Sequence, residues 1–231
     1  MRFRRTLLAT AALTLGAAIA PAHAGDRTMY FTVGGGGNWL SDQSARATEP
    51  GSFFAFGTTG DTGFVLKAAV GGRLDNVIDG LRIEIEGSYQ QNSVEGNWGS
   101  HNGATLRSGH LEFDQTTFAV LANAWWEFDL GSLHPYVGGG AGWAKTELEG
   151  KMAQFGPPFA TRVIDDSGNG FAWQLGGGVN FDVSPNVVIG VGYRYFSGPD
   201  VDVAPAVAIN AAAASMDVTS QSVVLDLSFK L

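Results

Sequence analysis

The stretch LRIEIEGSY, residues 81–89, alternates without a break. Leu81, Ile83, Ile85, Gly87 and Tyr89 share one face of a strand; Arg82, Glu84, Glu86 and Ser88 share the other. A soluble sheet packs its apolar face inward and wets the charges, whereas a strand with lipid outside does the reverse. The remainder of the chain decides between them.

Period-2 segments of this kind recur along the whole chain. They are MYFTVGGGGNW (29–39), TGFVLKAAVGG (62–72), LRIEIEGSY itself, TTFAVLANAWWEF (116–128), PYVGGGAGWAK (135–145), FAWQLGGGVNFD (171–182), NVVIGVGYRYF (186–196) and SVVLDLSFKL (222–231). Each is about ten residues long, the length a tilted transmembrane strand requires, where ordinary globular strands run to about five or six. The connections alternate. Short ones at 75–79, 129–134 and 183–186 carry the Asp, Asn, Gly and Pro of tight turns, and long polar ones fill roughly 40–61, 91–115, 146–170 and 197–221. The pattern predicts an all-β fold: an eight-stranded antiparallel up-and-down transmembrane β-barrel, with short periplasmic turns, long outer loops and both termini on the periplasmic rim.

The chain opens with Arg2, Arg4 and Arg5, an uncharged run from Thr6 to Ala20, and the tripeptide Ala22-His23-Ala24. That is the layout of a signal peptide cleaved after Ala24, leaving residues 25–231 as one barrel domain; the run is shorter than the roughly 20 residues of a spanning helix. The formal net charge is −8, and −11 once the three arginines of the leader are removed. Such a chain does not bind nucleic acid or anionic lipid by bulk electrostatics. An exported chain without cysteine takes its stability from a closed hydrogen-bonded scaffold or a good core. Its 33 glycines sit inside the alternating segments and mark crowded, curving strands. One short run, AINAAAASM at 208–216, is helix-prone.

Charge orients the strands. Lys67, Arg82, Glu84, Glu86, Glu127, Arg194, Asp226 and Lys230 fall on one parity. Arg or Lys facing hydrocarbon costs about 2–4 kcal/mol at the midplane, so several would threaten a domain stable by only about 5–15 kcal/mol. They are assigned to a packed polar interior. The aromatics of the other parity collect at strand ends, with Trp39, Tyr89, Trp143, Phe171, Trp173, Tyr193 and Tyr195 toward the outer rim and Phe31, Trp126, Phe128, Phe181 and Phe229 toward the inner. Two such girdles belong at membrane interfaces. A soluble barrel of lipocalin type is the alternative, and it would wet a Gly-rich face poor in charge.

The pieces PYVGGGAGWA, ANAWWEFDLG, GYRYF (192–196) and the terminal alternating strand resemble the Opacity-type and OmpA-like β-barrel proteins of Gram-negative outer membranes, across essentially the whole mature chain. The resemblance implies a monomer in the cell outer membrane, without a cofactor. It implies a structural or surface-interaction role, in envelope integrity, adhesion or contact with lipopolysaccharide, host or environment through four long loops. It also implies that the barrel-assembly machinery reads the last strand, here Leu225, Leu227, Phe229 and Leu231. Family chains usually end on an aromatic residue; this one ends on Leu231, two residues after Phe229.

Eight strands enclose a lumen that side chains just fill, which argues against a wide pore and leaves a narrow channel as the rival. A hydrolase is a further alternative. His101 and His110 lie near Ser100, Ser108, Glu112 and Asp114, residue types able to activate a nucleophile or a water, although the local motifs of outer-membrane deacylases and proteases are missing. DDSGNG (165–170) mimics the start of a calcium loop, but Gly176 stands where the closing acid belongs. PGSFFAFG (50–57) and GPPFATRVI (156–164) read as apolar pieces at partner-binding tips or folded over the barrel mouth.

Overall fold

The computed structural model describes residues 29–41, 43–49, 52–60, 62–102, 105–156, 161–203 and 214–231. The leader lies outside them. The strands are β1 (Met29–Leu40), β2 (Gln43–Glu49), β3 (Ser52–Gly60), β4 (Thr62–Arg73), β5 (Leu81–Asn102), β6 (Thr105–Glu127), β7 (Leu133–Gln154), β8 (Thr161–Ser184), β9 (Val187–Ser197), β10 (Val201–Val203), β11 (Ala214–Met216) and β12 (Thr219–Lys230).

Antiparallel pairing runs β1–β4–β5–β6–β7–β8–β9–β12 and returns to β1, so eight passes close a ring with no edge. The closing seam places Tyr30 opposite Lys230 and Leu40 opposite Ser220. β2 and β3 continue the first hairpin: Trp39 faces Thr62 and Gln43 faces Thr58 in one unbroken register. β10 and β11 continue the last. Turns join the passes at one end, which we call the turn rim.

The charged face of LRIEIEGSY points inward. Glu84 and Glu86 are 7% and 3% exposed, whereas Ile83 and Ile85 are 46% and 53% exposed on the outer wall. The same parity holds around the ring, with Leu66, Val120, Val137, Leu175, Ile189 and Leu225 outside. From Phe128 to Phe118 this apolar band climbs about 25 Å, taking about 3.4 Å per residue and a tilt near 40°.

Strand length departs from the sequence reading. β5 to β8 have 22, 23, 22 and 24 residues, more than twice the length expected. The segments 91–115 and 146–170, expected as loops, are mostly strand, and the first long connection is the β2–β3 hairpin. Above Phe118 the chain keeps its period but exchanges its faces. Ser93, Glu95, Glu112, Asp114, Glu147, Glu149 and Asp165 now point out, while Val94, Trp98, Leu111, Phe113, Leu148, Met152 and Ile164 point in and are buried. With water outside, the apolar side must turn to the core. The continuous run of outward-facing apolar residues therefore ends at the band, although β6 continues about 40 Å further along the strand.

DDSGNG lies within extended β8, where Asp165, Ser167 and Asn169 alternate outward and cannot wrap a cation. The last three residues of AINAAAASM form β11; the rest lie outside the described residues.

Candidate functional site

The interior is layered along the barrel axis. At the turn rim Glu127 of β6 is the hub. It pairs with Arg73 of β4 at 2.5 Å and Arg82 of β5 at 3.3 Å, and it accepts a hydrogen bond from Asn180 of β8 at 2.8 Å. The Arg82 guanidinium lies between the rings of Tyr30 and Tyr136, 5.3 and 5.4 Å from their centroids. Lys230 and His134 share Asp182, at 2.9 and 3.3 Å, tying β12 and β7 to β8. All of these groups except Tyr136 line a mouth cavity of about 70 Å³.

One layer in, Lys67 donates to Glu86 at 3.3 Å and stands 3.1 Å from Asp226. Gln174 donates to Glu86 at 3.0 Å and to Asn123 at 2.8 Å. Glu84 accepts from Tyr30 at 2.9 Å and from Trp125 at 2.6 Å. Arg194 lies over Trp125, 4.3 Å from the centroid, and donates to the Tyr136 hydroxyl at 3.0 Å. The Gly-rich parity of β8 and β9 makes room for this: a Cβ on Gly192 would come within 2.4 Å of the Tyr136 hydroxyl. Every cation of the layer has a carboxylate or ring opposite it, which burial of charge requires.

Next come amides and hydroxyls. Asn38 donates to Asn92 at 2.6 Å, Ser220 donates to Gln90 at 2.8 Å, and Thr117 meets Thr146 at 3.0 Å. Beside them, on the turn-rim side of Thr117 and Thr146, Ala119, Leu121, Ala144, Ala172 and Phe196 form a small apolar cluster. The extension then holds a larger one, including Phe54, Phe56, Trp98, Leu111, Leu148 and Met216. A void of about 10 Å³ is enclosed there, too small to hold a water comfortably. The lumen is therefore polar in its membrane half and apolar in its outer half, not polar throughout.

Of the charged side chains picked from sequence, Lys67, Glu84, Glu86, Glu127, Arg194 and Asp226 are buried in these layers and Arg82 is half-buried. Sequence reasoning missed Arg73, Tyr30 and the part Asn180 plays, and of the apolar plug it touched only Phe54, Phe56 and Ile164, in the pieces read as tips or as folded over the barrel mouth. Continuing the alternation past Tyr89 would have found Val94 and Trp98. The girdle residues Trp39, Trp126, Phe128, Trp143, Phe181, Tyr193 and Phe229 are exposed on the outer wall, and Tyr89 is half-buried there. On the terminal strand Leu225, Phe229 and Leu231 are exposed and Leu227 is half-buried.

The histidines are not gathered into a catalytic group. His101 stacks on Phe53 at 5.9 Å, His110 faces Asn97 and Ala153, and Asp114 accepts from Ser93 at 2.8 Å. Among the described residues no cluster of His, Asp or Glu could hold a metal ion. In the apolar pieces Phe54 and Phe56 point inward and Ile164 is buried, while Val163 stands outside; residues 50, 51 and 157–160 lie outside the described ones.

A closed antiparallel ring with an apolar outer band and a charged, filled lumen defines a transmembrane β-barrel. The family model described as "Outer membrane protein beta-barrel domain" matches residues 9–229, and the chain belongs to that family of bacterial outer-membrane proteins. No curated protein sequence matches it. Among solved structures it is similar to the outer membrane protein OprG from Pseudomonas aeruginosa, at 12% identity and TM-score 0.50, covering 90% of this chain and 99% of that one. It is also similar to the outer membrane protease OmpT from Escherichia coli, at 8% identity and TM-score 0.52, covering 88% and 97%. At such identities the likeness is one of fold.

Proposed function

We propose that this protein is a closed, non-catalytic barrel that holds a rigid β-sheet extension above the outer membrane, serving envelope integrity and surface contact. The observation that carries the reading is the double closure of the lumen. A solute entering from the turn rim meets paired charges at Lys67, Glu86 and Asp226, and beyond them an apolar core around Leu111 and Leu148. A permanent conduit needs a continuous wet path, and the outer half is lined by side chains that exclude water. The surface left for function is the outside of the extension, where Leu106 and Phe155 are exposed near the top.

Planar-bilayer recording tests the closure. The protein is expected to give no resolved single-channel steps, and reproducible conductance would overturn the reading in favour of a narrow channel. The contact role is tested by Leu106→Ser with Phe155→Ser on the cell surface, with attachment expected to fall while folding and surface level stay unchanged. Unchanged attachment would leave the envelope role alone.

A further inference from the structure

Above the membrane band the outer wall of the extension carries more negative charge than its own cations match. Asp114 of β6, Glu149 of β7 and Asp165 of β8 stand directly opposite one another, and all three point out. Their row lies about 10 Å above Phe118, clear of the apolar band. In the next outward row Glu95 faces Glu112, Glu112 faces Lys151, and Lys151 faces Val163. In the row below, Glu147 is taken by Lys145 at 2.5 Å. Five carboxylates therefore share one lysine, Lys151. Like charges directly opposite on neighbouring strands repel, so the fold sets these groups side by side at a cost.

Geometry selects the kind of cation that would relieve it. Strands lie about 4.8 Å apart, so the row from Asp114 to Asp165 spans about 10 Å on a flat face and cannot close around one ion. A polycation with its charges spread over a similar distance meets every carboxylate. Between Glu112, Asp114, Glu149 and Lys151 opens a cleft of about 140 Å³, room for one side chain of a partner. Val163 stands exposed at the flank of the carboxylates, and Phe155 stands exposed above them on β7. An acidic field bordered by exposed apolar side chains complements a basic segment that also carries apolar residues.

We propose that this face of the extension docks a basic, amphipathic segment of a polypeptide reaching the cell from outside. Its Lys or Arg side chains lie over Asp114, Glu149 and Asp165, one of them entering the cleft beside Glu112, and its apolar side chains cover Val163 and Phe155. Docking relieves the repulsion along the row and takes two apolar groups out of water. The proposal rests on the surface-contact reading and gives that contact its chemistry.

Fluorescence anisotropy with the full barrel in phosphatidylcholine nanodiscs tests it, the probe being a labelled lysine-rich peptide bearing two phenylalanines, with empty discs as background. The wild type is expected to bind the peptide with an affinity that falls as salt rises. Serine in place of its phenylalanines should weaken binding, and glutamate in place of its lysines should abolish it. The triple variant Asp114→Asn, Glu149→Gln, Asp165→Asn should bind about tenfold more weakly, yet unfold at no lower denaturant concentration than the wild type, because it loses the like-charge row. Undiminished binding by that variant, or a serine or glutamate peptide bound as tightly as the probe, would overturn the proposal. Full displacement of the probe by magnesium at constant ionic strength would also overturn it, in favour of a divalent-cation site. Cell attachment lost in Leu106→Ser with Phe155→Ser but kept in the triple variant would leave the surface-contact reading standing and sink the basic partner.

Discussion

Lys67 of β4 and Asp226 of β12 meet 3.1 Å apart over the α-carbon of Gly34, which stands between them on β1 and is in register with both. Two strands that are not neighbours are thus joined across a third, because the middle residue has no side chain. A Cβ at position 34 would come 2.1 Å from Asp226 Oδ1 and 2.9 Å from the Leu225 carbonyl oxygen. Gly34→Val is expected to destabilise the folded barrel by about 1–3 kcal/mol, as overpacking does. Guanidinium unfolding in lipid vesicles measures it, and an unchanged midpoint would show that the close approach is dispensable.

Lys67→Leu leaves Glu86 and Asp226 buried without their cation. The expected loss is about 3–5 kcal/mol, most of it from the stranded carboxylates. Adding Glu86→Gln and Asp226→Asn to Lys67→Leu should recover a large part of that loss. If the triple variant is no more stable than the single one in the same urea titration, charge pairing is not what holds this layer.

The two faces of LRIEIEGSY should respond oppositely to substitution. Ile85 sits near the middle of the apolar band, so Ile85→Leu should pass almost unnoticed and Ile85→Arg should cost about 2–4 kcal/mol. Glu84→Leu strands the Tyr30 hydroxyl and the Trp125 indole N–H, for about 1–3 kcal/mol each. Unfolding free energies from vesicles decide this, and equal costs for Glu84→Leu and Ile85→Leu would contradict the assigned faces.

Asp75, in the turn after β4, accepts from Arg73 Nε at 2.8 Å and from the Gly80 N–H at 3.0 Å. The Arg73 hydrogen bond foremost holds its carboxyl below the ordinary value. A depressed folded value means the stabilisation is fully present above the unfolded Asp value, near pH 4, and disappears as pH falls through the folded one. Both groups are partly exposed, so screening limits the effect to a few tenths of a kcal/mol. Asp75→Asn should lower stability at pH 6 and match the wild type near pH 2; a difference independent of pH would exclude this source.

The plug in the extension is a separate packing unit from the charged layers. Leu148→Ala, at a fully buried position, is expected to cost about 2–5 kcal/mol there. Its signature is local: faster proteolysis between β5 and β8 above the band, with the membrane-embedded part still protected. Loss of protection over the whole barrel at once would instead make the extension and the band one cooperative unit.

Alternation made much of this legible. Period 2 in eight segments, short turns between long connections, and charges confined to one parity lead to the closed ring and to the inward face of Glu84 and Glu86, because a lipid solvent tolerates no other assignment. The site was less legible. Arg73 ends β4 beside a turn, where a cation reads as solvated, and Tyr30 and Asn180 are ordinary strand residues until the ring closes around Glu127.

What the sequence by itself determined is therefore local and solvent-driven: strand period, membrane-facing parity, turn positions and the class of protein. What only the tertiary structure decided is where the solvent changes and who meets whom. Alternation carries no label for which side is wet, so the exchange of faces above Phe118, which turns expected loops into strands around an apolar plug, emerges only when neighbouring strands share a height. The same holds for Lys67 and Asp226, 159 positions apart in the chain and joined because ring closure sets both beside Gly34.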